Sequence, residues 1–306
     1  PLLPSHQLLA DRVANAWVHA RGGALPLIQI CGDERATRQA IAAAACTAVG
    51  LDLHVLSGVM MPVAAAEVEA LIRLWEREAA LNASGLVDCE DIDLNDAARI
   101  GAITWLLDRT GGAVIISARD RWRTTQRATV TLDVRRPGSG EQRSAWHHAL
   151  GETADRLNGQ VELLVSQFNL SAHAIRAASA EALGRMNSQD GDDAIWAVWD
   201  ASRAQARPRL EDLSQRIDSV VAWDDLVLPG PQRQVLRDIA AHVRQRAKVY
   251  DIWGFGGHGS RGLGISALFA GASGTGKTMA AEVLANELRL VLDPIYLSLV
   301  GGKYNW

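Results

Sequence analysis

The chain is short of paired cysteines, of long apolar runs and of excess charge, and each shortage removes a class of protein. Cys31, Cys46 and Cys89 are the only cysteines in 306 residues. They are odd in number and form no CxxC pair, which argues against a disulfide framework or a zinc site and suits a reducing cytoplasm. No apolar run approaches the ~18 residues that a membrane helix needs. A formal net charge of −4 supplies no electrostatic reason for nucleic acid to be a main partner. The opening residues also lack the basic-then-apolar pattern of a leader, and Pro1 in place of Met raises the expectation of an incomplete N-terminus.

What is present is ordinary for a globular protein: 48% hydrophobic and 22% charged residues, with length enough for two domains. Against that background one motif stands out. Gly271-Ala272-Ser273-Gly274-Thr275-Gly276-Lys277-Thr278 matches the full Walker A pattern. Three glycines let the main chain curl and aim its N–H groups inward, and the positive end of a following helix adds to them. Lys277 is expected to reach the β- and γ-phosphates of ATP, Thr278 to ligate Mg²⁺, and the contact set to run on through Met279. The flanks agree: Ile265 to Ala270 reads as a short buried strand, and Met279 to Leu288 as a helix with Val283, Leu284 and Leu288 on one face.

A second, quieter nucleotide-type domain precedes it. Leu27 to Cys31 reads as a parallel strand, Arg35 to Val49 as a helix, and Leu51 to Leu56 as a strand. Pro62 to Ala80 follows as a helix with the stripe Val68, Leu71, Ile72 and Trp75. Gly85 to Asp88, Ala113 to Ser117 and Thr129 to Val134 complete the strands, with a helix over Ala97 to Asp108. This alternation predicts a parallel sheet covered on both faces, an α/β fold of P-loop type. In the Walker position stands Gly32-Asp33-Glu34-Arg35-Ala36-Thr37-Arg38-Gln39: one glycine survives, Arg38 replaces the lysine, and Gln39 the metal-binding hydroxyl. Asp33 and Glu34 would oppose a triphosphate by like charge. Asp88 stands where a metal-holding carboxylate belongs, but Cys89 takes the place of the usual catalytic Glu, and Glu90 would point to the other side of a continuing strand. Ser117 occupies a polar sensor position. The site reads as degenerate, with Arg38 as a substitute lysine the opposing reading. Arg119, Arg121 and Arg123 are either a solvated basic turn or a source of an arginine finger.

Helices are expected over Gly140 to Leu150, Gly159 to Gln167 and Ser171 to Arg185, forming a small lid. The polar stretch Met186 to Asp193 marks a boundary. The domain reading is therefore an N-terminal helical segment at 1–24 and a degenerate module at 25–186, with sheet core 25–135 and lid 139–186. Linker helices follow at 187–222, and the start of a second module at 223–306.

Taken together, Trp223-Asp-Asp-Leu-Val-Leu-Pro229, Trp253-Gly-Phe255, the run from Gly264 to Ala285 and the degenerate first module resemble the tandem-module AAA+ ATPases. Within that group the chain looks most like the ATPases encoded with bacterial contractile injection systems and phage-tail-like particles. The resemblance implies a three-layer AAA+ sandwich with a helical lid, followed by an incomplete second module, and a ring, commonly a homo-hexamer. ATP would drive remodelling or threading of a protein partner, and Leu226 to Leu228 would lie near the adenine. Tyr296-Leu-Ser298 and Lys303-Tyr-Asn-Trp306 depart from the family pattern. The missing second Walker B, sensors, arginine finger and lid carry the expectation of a truncated product, or a fragment, whose own hydrolysis is doubtful. The rival reading is a non-catalytic scaffold built on the first module. A small-molecule kinase is disfavoured by the lidded module upstream.

Other signals are declined. Gly254-x-Gly256-x-x-Gly259 lacks the strand and helix of a dinucleotide site. Asp91-x-Asp93-x-Asn95 lacks an EF-hand's glycine and bidentate Glu, and reads as a helix start. His147 and His148 are adjacent and so point apart on a helix. The tryptophans at 17, 75, 105, 196, 199 and 223 read as core residues.

Overall fold

The computed structural model describes residues 2–20, 25–93, 95–122, 126–157, 160–185, 191–206, 221–255, 264–288, 290 and 292. They fall into two compact units, one of residues 1–145 with 170–176, the other of residues 146–169 with 177–306.

The first unit is built on a five-stranded parallel sheet. Its strands are β1 (Leu27–Cys31), β2 (Asp52–Ser57), β3 (Ala83–Asp88), β4 (Val114–Ala118) and β5 (Thr129–Asp133), in the order β2-β3-β4-β1-β5. Successive residues of each strand point to opposite faces, and the two faces have separate cores. On one side Leu27, Val87, Val114 and Ile116 meet α3 (Ala65–Ala79), through Val68, Ile72 and Trp75, and α4 (Ala97–Arg109), through Ile103, Leu106 and Leu107. On the other, Ile28, Ile30, Leu86, Ile115 and Leu132 meet α1 (Pro4–Val18), through Val13 and Trp17, and α2 (Arg35–Ala48), through Ile41, Ala45 and Cys46. Because both faces of the central strands are covered, β1, β3 and β4 are buried throughout, polar Gln29, Ser84, Asp88 and Ser117 included. The Asp91–Asn95 stretch leads into α4, which Asp96 caps by accepting the Arg99 N–H at 3.0 Å.

Downstream the chain is helical: α5 (Ser139–Leu150), α6 (Glu152–Arg156), α7 (Gln160–Gln167), α8 (Ala172–Arg185) and α9 (Gly191–Gln205). The three helices expected here are present, and α6 is an additional turn. In the second unit Phe168 meets Trp199 of α9 edge-to-face, ring centres 5.0 Å apart. Helix α10 (Gly230–Ala247), extended by a π-helical turn at Lys248–Ile252, packs Leu236 and Ala240 on Ala280, Val283 and Leu284 of α11 (Lys277–Glu287). Among the described residues no helix is long and apolar enough to cross a membrane.

One local expectation is overturned. Residues 265–270 form no strand, and Leu268 is 93% exposed. An apolar run becomes a buried strand only where neighbours pair with its main chain and cover its faces. Among the described residues no strand does so. Arg207-Pro208, Leu210 to Ile217, Tyr296 to Ser298, Lys303 to Trp306 and most of the glycine-rich stretch after Phe255 lie outside the described residues.

Candidate nucleotide site

The loop from Gly271 to Met279 ends in a helix that begins at Lys277 with Gly276 as its N-cap. Gly274 and Gly276 both have φ of 80°, in the left-handed region where other residues are strained. Two such glycines hold off helix formation until Lys277. The first main-chain N–H consumed inside the helix is that of Ala280, which reaches the Gly276 carbonyl at 2.9 Å. The N–H groups of Lys277, Thr278 and Met279 therefore have no intrahelical acceptor. Lys277 Nζ folds back over the loop and donates to the carbonyls of Gly271 at 3.0 Å and Ala272 at 2.6 Å. Thr275 Oγ1 donates to the same Ala272 carbonyl at 2.8 Å. Residues Ala272, Ser273 and Thr278 are exposed.

Beside this loop lies a cavity of about 660 Å³, lined among others by Leu228, Pro229, Gln232 and Leu236, and by Gly276 and Lys277 of the loop. That volume is in the range of small-molecule and cofactor sites. The segment before α10 is fixed by polar ties. Arg233 Nη2 donates to the Trp223 carbonyl at 2.9 Å, and Asn286 Nδ2 to the Val221 carbonyl at 2.8 Å. The three leucine-type residues of this segment separate in role. Leu226 is core, Val227 is 94% exposed, and Leu228 lines the cavity.

The corresponding position of the first unit is built differently. In register, Asp88 pairs with Ser117 and Ser117 with Ile30, so the carboxyl ends of β3, β4 and β1 lie side by side. Here helix α2 begins three residues after Gly32, at Arg35, whereas α11 begins six residues after Gly271. With no glycine between 33 and 37, nothing holds the helix off. Arg38 is fully buried; it donates through Nε to Ser117 Oγ at 2.9 Å, through Nη1 to the Gly32 carbonyl, and through Nη2 to Glu90.

Glu90 thus corrects the expectation that it faces away. Strand β3 ends at Asp88, whose Oδ1 accepts the Glu90 N–H at 3.2 Å. The alternation of a strand stops there, and the turn swings Glu90 inward to 5% side-chain exposure. Burial pushes the Glu90 carboxyl up, but Arg38 and Arg119, the latter at 3.1 Å, outweigh it and hold the carboxyl below its ordinary range. Asp88, itself with no side-chain exposure, is occupied by Arg35 and by Gln39 Nε2 at 3.1 Å. Glu34 accepts from Thr37 and from Ser171, tying the loop to the start of α8. Burial, and then Asp88, pushes the Cys89 thiol up to about 12, far from a reactive thiolate. Arg121 pairs with Asp133 at 2.6 Å, so both described arginines of that turn engage carboxylates of their own unit. Arg123 lies outside the described residues.

Sequence reasoning missed one further cation. Arg127 donates to four main-chain carbonyls: Leu25 at 2.8 Å, Gly112 at 2.6 Å, Thr110, and Leu107 at 3.4 Å. It staples the start of β1 to the end of α4 and the start of β4. A lone arginine beside a strand carries no sequence signal of this.

A search of the curated proteins finds no match to this chain. Residues 138–208 match the family model described as the contractile injection system ATPase helical domain. That span takes in α5 to α9 and is helical in nearly all its described part. On this helical segment the chain resembles the ATPases of contractile injection systems, with the ATPase-related role that the resemblance brings.

Proposed function

We propose that this chain is an ATP-binding AAA+ protein of the remodelling type, serving a contractile injection system. Gly271 to Met279 are its phosphate site. The observation that carries the reading is the loop's geometry: two left-handed glycines deliver a helix N-terminus at Lys277, with three N–H groups free of intrahelical bonds and the lysine already drawn over the loop. The match at 138–208 supports the family side of the reading.

These residues fit a triphosphate and Mg²⁺. The loop N–H groups would hold phosphate oxygens. Lys277 would exchange its two carbonyl acceptors for β- and γ-oxygens, and the Thr278 hydroxyl would hold the metal. Bound Mg²⁺ supplies charge neutralisation on those oxygens. Leu228 and Leu236 offer the base an apolar wall. This chain's own part is to bind and orient. The sheet-and-lid module at 25–186, the hydrolytic step, a hexameric ring, a protein partner and a cytoplasmic setting belong to the same proposal through the resemblance.

A second reading, a non-catalytic scaffold, is favoured by the unpaired, exposed stretch at 265–270 beside the loop. Equilibrium binding of Mg-ATP to the whole chain separates the two. Saturable binding weakened roughly 10- to 100-fold by Lys277→Ala, the worth of one charge-assisted contact, supports the ATP site. Absence of binding to both chains leaves the scaffold.

A further inference from the structure

We propose that the first unit carries a self-liganded P-loop position: the Arg38–Glu90 pair and an early helical turn stand where phosphates and their cation would sit, so this unit neither binds nor needs nucleotide. Three observations converge.

The first is place. In open α/β sheets ligands bind outside the carboxyl ends of the strands, where the strand order switches direction. Here that point is the end of β1, flanked by β4 and β5. Gly32, Asp88 and Ser117 surround it, and the Arg38 guanidinium fills it.

The second is space. Helix α2 starts three residues nearer its glycine than α11 does, which at 1.5 Å per residue advances the helix end by about 4.5 Å. The cradle of a P-loop is replaced by a helical turn.

The third is satisfied valence. Arg38 has acceptors at all three nitrogens, Asp88 is held by Arg35 and Gln39, and Glu34 is held by Thr37 and Ser171. A phosphate entering would have to displace Glu90 from a buried guanidinium and meet Asp33 and Glu34 as well. Arg38 is therefore no substitute lysine. Its charge is consumed by a carboxylate of its own chain, and the unit keeps one conformation whether or not ATP is present. In an ATPase chain it serves as a fixed frame.

Hydrogen exchange of the full chain carrying Lys277→Ala tests this independently of the 271–279 loop. The bonded amides of Gly32, Arg38 and β4 are expected to be protected and those of Arg35 to Thr37, which precede the first intrahelical bond, to exchange freely, all unchanged by saturating Mg-ATP or Mg-pyrophosphate. Added protection there on nucleotide addition overturns the proposal. In a second arm, Glu90→Gln is expected to speed exchange of the protected amides roughly 10- to 100-fold. Adding Arg38→Met to Glu90→Gln should speed it little further. Independent, multiplying effects would mean the two residues do not act as one unit and would overturn the pairing. If Glu90→Gln does not fold, the nucleotide arm alone decides.

Discussion

Replacing Arg127 by methionine removes the guanidinium but keeps an apolar stem of similar length. In the native unit five donor contacts run to four carbonyls, at Leu25, Leu107, Thr110 and Gly112. The 3.4 Å contact to Leu107 is weak and is set aside. Three carbonyls then lose their donor. At about 1 kcal/mol net for each lost hydrogen bond the change costs ~3 kcal/mol, roughly a hundredfold in the folding equilibrium. Arg127→Lys recovers little, because an ammonium is a point donor and cannot span carbonyls on three segments at once. Burial draws the Arg127 pKa down, with Asp108 opposing, but a guanidinium stays charged, so the effect should not vary with pH across the neutral range. Urea unfolding of the full chain, followed together with amide exchange in β1 and β4, measures it. A loss under about 1 kcal/mol, or a lysine variant as stable as the parent, would refute the reasoning that the fork itself ties the three segments.

Two further outcomes follow from packing and charge. A Cβ on Gly85 would lie 2.8 and 3.0 Å from ring carbons of buried Trp75, so Gly85→Ala should lower the urea midpoint by the equivalent of about 1–3 kcal/mol. The cost should shrink when Trp75→Leu makes room. Glu90 is held below its ordinary value of 4.5 in the folded state, so its contribution is complete above that value and lost as the pH falls through the depressed one. The melting temperature of Glu90→Gln should therefore fall less steeply than that of the parent in acid, and parallel acid limbs would contradict the assignment.

How much of this was legible in advance depends on how far apart the deciding residues lie. Strand β1 at 27–31, helix α2 from Arg35 and helix α4 from Ala97 follow from local period and composition, and the structure places them there within a residue or so. The stripe of α3 was readable because spacing alone puts Val68, Ile72 and Trp75 on one face. The glycines of the 271–276 loop were readable because their role is a main-chain φ, a property of the residue itself.

Other features were decided only in three dimensions. Glu90 was expected to face away, because strand alternation was carried past Asp88; the turn that reverses it depends on the Asp88 side chain. Residues 265–270 have the composition of a buried strand, but burial belongs to the neighbours as much as to the strand. The Arg38–Glu90 pair and the Arg127 staple join residues 52 and up to 102 positions apart. By itself, then, the sequence determined most elements of the first unit, the alternation that makes it a covered parallel sheet, and the glycine turn that precedes the helix at Lys277. Tertiary structure decided which charges meet. An ion pair is a relation between positions, and only the folded chain brings its two members within reach.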